Sequence, residues 1–307
     1  IEETEVRLLR LTKEQFDVLD LLADNERCLF EGAAGTGKTM LAFEYARRSA
    51  LAGQKTLFVC YNRLLGEWLE RQIAGTDYSK NLHVGSYFKL LRRVIMNSSS
   101  ASTFLEKERV HGQTSELYEK IYSTFGRKAI EEDGVSYDVL VVDEAQDLLR
   151  VEILNVLIVW LNGGFIKGRW AIFGDFHRQA IFGSVTGAEL KENLNKFCTQ
   201  FARGRLILNC RNTRNIGEET ALLSGFTSPP YKMDHVSGSP VDYNYYDSVE
   251  IQQGAVTEII RRLLADGIKP ADIVVLSHLR FQNSGVFDAG LRRSAGSAVA
   301  SLGHSAR

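Results

Sequence analysis

Eight consecutive residues have the types and spacing of a phosphate-binding loop: Gly32, Ala33, Ala34, Gly35, Thr36, Gly37, Lys38 and Thr39. They fill every fixed position of the pattern G-x-x-x-x-G-K-[ST]. Glycines let backbone N–H groups close around phosphate oxygens, and the N-terminus of a following helix adds partial positive charge. In this pattern Lys38 can reach the β- and γ-phosphates, and the hydroxyl of Thr39 can bind Mg²⁺. We therefore predict that this loop binds a nucleotide.

A second group of reactive side chains begins where an apolar run ends. Four consecutive aliphatic residues, 139–142, predict a buried parallel strand, and Asp143 and Glu144 follow it directly. A carboxylate at a strand end can hold Mg²⁺, and its neighbour can orient and deprotonate the water that attacks a phosphate. The alternative is a solvated acidic turn, but the buried strand before it argues against that. We predict Asp143 and Thr39 as metal ligands and Glu144 as general base.

The loop requires a strand before it and a helix after it, and residues 28–31 and 40–46 have those patterns. Similar apolar runs predict further strands at 55–60, 82–88, 139–142, 170–175 and 206–212. Because helical patterns separate these runs, we predict an α/β fold with a mostly parallel sheet wrapped by helices. Residues 97–136 depart from the alternation and predict a small helical insertion.

A helix is also predicted near the start of the chain, over residues 7–23. Thr12 can cap this helix, and Gln15 stands three residues later, in the position of a capping-box partner. The amide of Gln15 could instead donate to and accept from the edge of an adenine base. The residues by themselves leave both roles of Gln15 open.

The composition narrows the class of protein. Basic and acidic residues nearly balance, 37 against 38, so a nucleic-acid site has to be a local groove. The cysteines lie far apart and form no metal-binding or disulfide pattern: Cys28, Cys60, Cys198 and Cys210. The longest apolar stretch, 153–161, is too short to span a bilayer, and no signal-peptide pattern is present. We expect a cytoplasmic protein with reduced thiols and no membrane partner.

A stretch rich in Pro, Gly and Ser, residues 226–240, predicts a domain boundary. We therefore predict an ATP-binding domain over residues 1–225, a linker over 226–240 and a partial second domain over 241–307. Within that second domain, the patterns predict strands at 241–246 and 272–277 and a helix at 250–266.

The order and spacing of the motifs over residues 8–280 resembles that of superfamily 1 DNA helicases of the UvrD/Rep type. The segment that holds Gln15 resembles the adenine-binding Q motif of that family, Gly32–Thr39 its motif I, and Asp143–Asp147, spelled DEAQD, its motif II. The resemblance implies a RecA-like motor domain with ATP and Mg²⁺ as cofactors. It also favours adenine contact over helix capping for Gln15.

Two further stretches resemble motifs III and IV of the family. Gly174-Asp175 with Gln179–Phe182 resembles motif III, although one extra residue separates Asp175 from Gln179, and Leu208–Asn212 resembles motif IV. In the family, the Gln of motif III and the Arg of motif IV contact the γ-phosphate. The resemblance therefore implies four catalytic residues: Lys38, Glu144, Gln179 and Arg211.

Residues 58–63 and 84–88 resemble motifs Ia and Ib, which contact the backbone of a single strand in the family. The resemblance implies a nucleic-acid site made of five residues: Asn62, Arg63, Ser86, Tyr87 and Phe182. The rings of Tyr87 and Phe182 could stack on bases or pack in the core, and the sequence leaves both open, whereas for Phe88 we predict core packing. The expected partner is single-stranded DNA, with RNA as an alternative.

No counterpart of motifs V and VI of the family occurs before Arg307. The resemblance therefore implies the first motor domain and the start of a second, with the remainder expected in the full-length chain. Motif VI supplies an arginine finger in the family, so we expect these 307 residues alone to hydrolyse ATP slowly. We predict a fragment of an ATP-dependent DNA helicase or translocase. The alternatives are a nucleotide-gated binding module that does not translocate and a small-molecule P-loop kinase, which DEAQD fits poorly.

Overall fold

The computed structural model describes residues 13–112, 114, 116–176, 186–228, 230–231 and 237–277, without the side chains of Glu14 and Phe16. The chain divides into two compact units, residues 1–239 and residues 240–307. Each unit is described by itself, and the division into residues 1–225, 226–240 and 241–307 stays a prediction.

A parallel sheet forms the centre of the first unit. Its six strands are β1 Arg27–Gly32, β2 Thr56–Cys60, β3 Leu82–Ser86, β4 Val139–Val142, β5 Arg169–Gly174 and β6 Ala202–Leu206. They lie in the order β3-β2-β4-β5-β1-β6, and all neighbouring pairs are parallel. The predicted α/β fold with a parallel sheet is confirmed.

Helices connect these strands. The α-helices of the first unit are α1 Lys13–Asp24, α2 Lys38–Leu51, α3 Arg63–Ile73, α4 Tyr87–Met96, α5 Ala101–His111, α6 Tyr122–Asp133, α7 Val151–Trp160, α8 Gly164–Lys167, α9 Gly187–Asn195 and α10 Arg214–Ser224. A π-helical turn spans Leu117–Ile121, and a 3₁₀ turn spans Ala145–Asp147. Within the described ranges, no helix combines the length and apolar character that crossing a membrane requires.

The central strands are apolar because both faces of the sheet are covered there. Every residue of β2 and β4 is buried. On one face, Leu140 and Trp170 pack in a core with residues of α4, α6 and α7, and on the other, Val141 and Phe173 pack in a core with residues of α1, α2 and α3. The period-two alternation along β1, β2, β4 and β5 therefore divides their side chains between two cores, which hold the strand ends in place.

The segment predicted as a helical insertion, residues 97–136, is helical. It contains α5, the π-helical turn and α6. Phe104, Tyr122 and Ile130 from this segment are buried in the same core as Leu140. The insertion is therefore an integral part of one side of the domain.

The strand predicted at residues 206–212 is wrong in its position. Strand β6 covers Ala202–Leu206 instead, and Asn209 makes only an isolated bridge with Tyr231. The reason lies in its neighbour: β6 pairs with β1, and β1 ends at Gly32, opposite Leu206. Beyond that point the chain that follows β1 turns into the glycine-rich loop, so the pairing of β6 with β1 ends at Leu206.

The second unit contains the helix predicted there but not the strands. Helix α11 covers Val249–Ala265, close to the predicted 250–266. Residues 241–246 and 273–277 are irregular, and a 3₁₀ turn covers Pro270–Asp272. Leu276 is 88% exposed, so the apolar run is not a buried strand. An apolar run becomes a buried strand only when neighbouring strands satisfy its backbone, and all six strands of the described sheet belong to the first unit.

Candidate nucleotide-binding site

The predicted phosphate-binding loop joins β1 to α2. Gly35 and Gly37 have φ angles of 85° and 84°, in the left-handed region that other residues rarely adopt. This conformation carries the chain in a tight turn around the N-terminus of α2, which begins at Lys38. The two glycines therefore produce the loop shape that the motif predicts, at a helix end suited to anions.

Lys38 lies at the centre of this loop. Its Nζ donates hydrogen bonds to the carbonyl oxygens of Gly32 at 2.8 Å and Ala33 at 3.0 Å. The hydroxyl of Thr36 also donates to Ala33 O, at 2.8 Å, and both side chains are buried. The ammonium charge is thus held against the loop backbone, where a phosphate group would meet it.

A pocket of about 140 Å³ opens over the loop. Its lining combines the loop with residues from three other parts of the chain: Ala34, Gly35, Gly37, Lys38, Thr39, Glu144, Asp175 and Arg211. The fold therefore brings together the loop, the predicted base Glu144 and the predicted γ-phosphate contact Arg211. Asp175, at the end of β5, was not among the predicted site residues.

Asp143 follows β4 and is completely buried. Neither carboxylate oxygen has a hydrogen-bond partner. Burial, and secondly the charge of Glu144, raise the pKa of Asp143 to about 6, whereas Thr39 and Lys38 act in the opposite direction. A buried carboxylate without donors is unfavourable unless a cation neutralises it.

The two predicted metal ligands, Asp143 and Thr39, have the chemistry that Mg²⁺ requires. Mg²⁺ prefers oxygen ligands, and in phosphate-binding sites it takes one or two from the protein and the rest from phosphates and water. The unsatisfied oxygens of Asp143 and the nearby hydroxyl of Thr39 match that pattern. Within the described part of the chain, no group of three or more His, Cys, Asp or Glu residues forms a metal cluster of its own.

Glu144 has an unusual backbone. Its φ of 51° makes it the one non-glycine residue with positive φ among those the structure describes. The side chain accepts a hydrogen bond from Gln146 Nε2 at 2.5 Å, and Gln146 Oε1 accepts one from the backbone N–H of Asp175 at 3.0 Å. Such strained backbones occur preferentially at functional sites.

Arg211 is held at the pocket by the loop that follows β6. The buried Asn209 side chain accepts hydrogen bonds from the backbone N–H groups of Arg211, at 3.2 Å, and Asn212, at 3.1 Å. The backbone N–H of Cys210 donates to Gly35 O at 2.9 Å, which fastens this loop to the phosphate-binding loop. The guanidinium itself belongs to an exposed residue at the pocket. These bonds span only two and three residues, so Asn209 forms a local side-chain turn of the kind that Asn favours, although the sequence analysis did not predict it.

Gln15 on α1 is buried beside the loop. Its Nε2 donates to Thr36 O at 3.2 Å and to Cys210 Sγ at 3.3 Å. The amide therefore connects α1 to both loops of the pocket. Its predicted capping partner, Thr12, lies outside the described residues, and contact with adenine stays a prediction.

The predicted nucleic-acid residues differ in exposure. Asn62 is the N-cap of α3, where its Oδ1 accepts from Leu65 N at 3.1 Å, and Arg63 is exposed and pairs with Glu67 at 3.6 Å. Ser86 is only 4% exposed and Tyr87 is fully buried. A ring without exposed surface cannot stack on a base, so the assignment of Tyr87 to the nucleic-acid site is corrected to core packing.

Phe88 packs as predicted. Its ring lies edge-on to Tyr61, Tyr118 and Tyr122.

Gln179 and Phe182 lie outside the described residues, and their roles stay predictions. The most exposed aromatic side chains described in the first unit are Tyr61, at 39%, and Trp68, at 42%, which the sequence did not single out as site residues.

Residues 2–149 match the sequence profile of a family described as the res subunit of type III restriction enzymes, ResIII. The match covers just under half of the chain and includes both the phosphate-binding loop and Asp143–Asp147. This part of the chain is therefore similar to a helicase-like domain. The nucleotide loop and the acidic motif lie together in the matched segment.

Among solved structures, the chain is similar to the Pif1 helicase from Candida albicans, with 15% identity and a TM-score of 0.38 over 70% of this chain and 43% of that one. It is also similar to a Pif1 helicase from a study of unwinding at forked duplex DNA, with 15% identity and a TM-score of 0.33 over 64% and 44%. The chain thus spans less than half the length of each. No curated protein sequence matches it.

Proposed function

We propose that the chain is the ATP-binding part of a superfamily 1 helicase or translocase of the UvrD/Rep type, which hydrolyses ATP with Mg²⁺ and moves on single-stranded DNA. The observation that carries this proposal is the convergence on one pocket of Lys38, Thr39, Glu144 and Arg211, which come from three different loops. Each is a residue type that phosphoryl transfer requires, namely cation, hydroxyl, carboxylate and guanidinium.

The residues divide the chemistry between them. Lys38 and the loop N–H groups bind the β- and γ-phosphates, and Thr39 and Asp143 would hold Mg²⁺, which supplies charge neutralisation when bound. Glu144 accepts the proton of the attacking water, because its carboxylate lines the pocket beside the loop. Arg211 stabilises the charge that develops on the γ-phosphate. Gln179 is proposed as a second γ-phosphate contact from the resemblance alone.

The size of the pocket suits the phosphate end of the nucleotide. At about 140 Å³ it is smaller than the ~300–1,000 Å³ usual for sites that enclose a whole small molecule. We therefore place only the phosphates in it, with the nucleoside outside. Gln15, which donates to the loop at Thr36, stands next to the phosphate-binding loop and is the proposed contact for adenine.

The proposed nucleic-acid surface lies at the C-terminal end of β2, where open α/β sheets bind ligands. Asn62 and Arg63 begin α3 there, and Tyr61 directly precedes them. Leu64 and Trp68 are exposed one turn apart on the same helix. Exposed aromatics beside an arginine are the chemistry of single-strand binding, in which bases stack and phosphates contact cations.

The decisive experiment is the ATPase rate with and without single-stranded DNA, measured on this chain and on a longer product that carries the rest of the second motor domain. We expect slow turnover by the 307 residues and strong DNA stimulation only in the longer product. Lys38→Ala should abolish turnover in both and serves as the control for contaminating ATPases. Equal, DNA-independent rates in both proteins would contradict the motor.

A second measurement, of DNA affinity, distinguishes the alternative of a nucleotide-gated binding module. That function predicts ATP binding with no turnover stimulation and no change in DNA affinity between nucleotide states. Fluorescence anisotropy of a labelled oligonucleotide with ATP, ADP or no nucleotide measures this affinity. A difference between the ATP and ADP states supports the motor.

A further inference from the structure

The side chain of Gln146 connects the proposed base to the end of strand β5. Its Nε2 donates to Glu144 Oε2 at 2.5 Å, and its Oε1 accepts from the backbone N–H of Asp175 at 3.0 Å. Only 7% of Gln146 is exposed. A buried amide with both ends hydrogen-bonded is held in one position by its partners.

The partners also determine which way the amide points. The backbone N–H of Asp175 can only donate, so it must face the amide oxygen of Gln146. The amide NH₂ group therefore faces Glu144, whose Oε2 accepts. A longer contact of 3.5 Å joins the same NH₂ group to Asp147 Oδ2. In the described part of the structure, no other side chain donates to the Glu144 carboxylate.

Glu144 requires this support because its backbone is strained. With φ at 51°, it adopts a conformation that residues other than glycine rarely take unless the surroundings hold them there. In this conformation Glu144 lines the pocket together with Lys38 and Arg211. The bond from Gln146 keeps the side chain in that position.

We propose that Gln146 is a positioning residue that holds the carboxylate of Glu144 in place for catalysis. This proposal rests on the proposed function, in which Glu144 is the base for ATP hydrolysis. The two hydrogen bonds have separable roles: the NH₂ group positions Glu144, and the amide oxygen anchors Gln146 to β5 through Asp175.

Two substitutions separate these roles. Gln146→Glu keeps an oxygen that can accept from Asp175 N–H but replaces the donor to Glu144 by an acceptor, which repels the carboxylate. Gln146→Met has a similar length and removes both hydrogen bonds. Gln72→Glu makes the same chemical change at an exposed position on α3 and is the matched control.

The experiment has two readouts on the 307-residue chain. The first is the steady-state kinetics of ATP hydrolysis. We expect kcat to fall at least ~10-fold in both Gln146 variants, while KM stays within about 2-fold of the wild-type value. The second is hydrogen exchange of the Asp175 amide, resolved by NMR without nucleotide. We expect this exchange to accelerate in Gln146→Met and to stay at the wild-type rate in Gln146→Glu. Gln72→Glu should match the wild type in both readouts.

The outcomes that overturn the proposal are distinct from those that overturn the proposed function. If the wild-type chain hydrolyses ATP and Gln146→Glu has the same kcat, the positioning role is refuted and the proposed function is not. Unchanged exchange of Asp175 in Gln146→Met shows that the anchoring bond does not form, and also refutes it. A wild-type chain with no ATP turnover refutes the proposed function, and the positioning of a catalytic base falls with it.

Discussion

Asp143 and Glu144 are adjacent in the sequence but occupy different environments. Asp143 is completely buried, with neither carboxylate oxygen hydrogen-bonded, whereas Glu144 lines the pocket and accepts from Gln146. Because burial penalises the charged form, the pKa of Asp143 rises to about 6. At the residue scale, the fold thus gives the two carboxylates the different surroundings that their proposed roles, metal ligand and general base, require.

The raised pKa predicts that Asp143→Asn stabilises the nucleotide-free protein at neutral pH. Below its ordinary pKa of 3.8, Asp143 is protonated in both the folded and the unfolded chain and does not change the folding stability. As the pH rises towards 6, Asp143 ionises first in the unfolded chain, so the folding stability falls, and it stays lower above pH 6. We expect the variant to be more stable by about 1–3 kcal/mol at pH 7.5 and by much less at pH 4. Urea unfolding at the two pH values measures this, and equal stability at pH 7.5 would contradict it.

Substitutions of Lys38 and Glu144 should have different effects on ATP binding and on ATP hydrolysis. Lys38→Ala removes the cation at the phosphates, so we expect ATP affinity to fall. Glu144→Gln removes the base but keeps the loop, so we expect ATP binding within about 3-fold of wild type and turnover reduced by ~10²–10⁴-fold. Isothermal titration calorimetry measures the ATP affinity, and single-turnover kinetics measures the rate of hydrolysis. Loss of binding in Glu144→Gln would place this carboxylate in nucleotide binding instead of catalysis.

At the scale of elements, the pocket depends on three loops that meet at the C-terminal ends of neighbouring strands. Strands β4, β5 and β1 are adjacent in the sheet, and they end in Asp143, in Asp175 and in the phosphate-binding loop. The loop after β6 joins them through the bond from Cys210 N to Gly35 O. Strand order therefore assembles a site from segments far apart in the chain.

Helix α3 gives a prediction at this scale for nucleic-acid binding. Trp68→Ala removes an exposed ring that we propose stacks on a base, so single-strand affinity should fall by about 5- to 100-fold, the equivalent of ~1–3 kcal/mol. ATP affinity should not change. Ile166→Ala, at an exposed apolar residue on α8 before the N-terminal end of β5, is the control. Anisotropy titration with an oligonucleotide measures both, and wild-type affinity in Trp68→Ala would exclude this helix from the interface.

At the scale of the whole molecule, the chain consists of two units, and the described pocket and hydrophobic cores lie in only one of them. The described pocket residues all belong to the first unit, which ends at Ser239, and each of the two hydrophobic cores belongs to it as well. In the second unit, α11 has no buried residue. The nucleotide site should therefore be independent of the second unit.

A chain that ends at Ser239 tests this independence. Because the pocket and both cores are retained, we expect it to fold and to bind ATP within about 3-fold of the 307-residue chain. Circular dichroism establishes folding, and titration with a fluorescent ATP analogue measures affinity. A folded truncated chain with much weaker binding would show that the second unit contributes to the site.

The sequence alone determined the local features of this protein. The loop Gly32–Thr39, the acidic pair after Val139–Val142 and the helix near 250–266 could all be predicted, because each depends on residues close together in the chain. The alternation of strands and helices likewise predicted the parallel α/β sheet. These features follow from backbone conformation and apolar periodicity, which short stretches encode.

Only the tertiary structure decided the features that depend on distant neighbours. The bond from the backbone N–H of Asp175 to Gln146 and the bond from Cys210 N–H to Gly35 O join residues that are far apart in the chain by geometry that no motif specifies. Tyr87 is buried because α4 packs into the core, and β6 ends at Leu206 because β1 turns away at Gly32. By its sequence alone, a side chain such as that of Tyr87 could be buried or exposed, and a segment such as that after Leu206 could continue as a strand or end. The packing partner determines which of the two occurs.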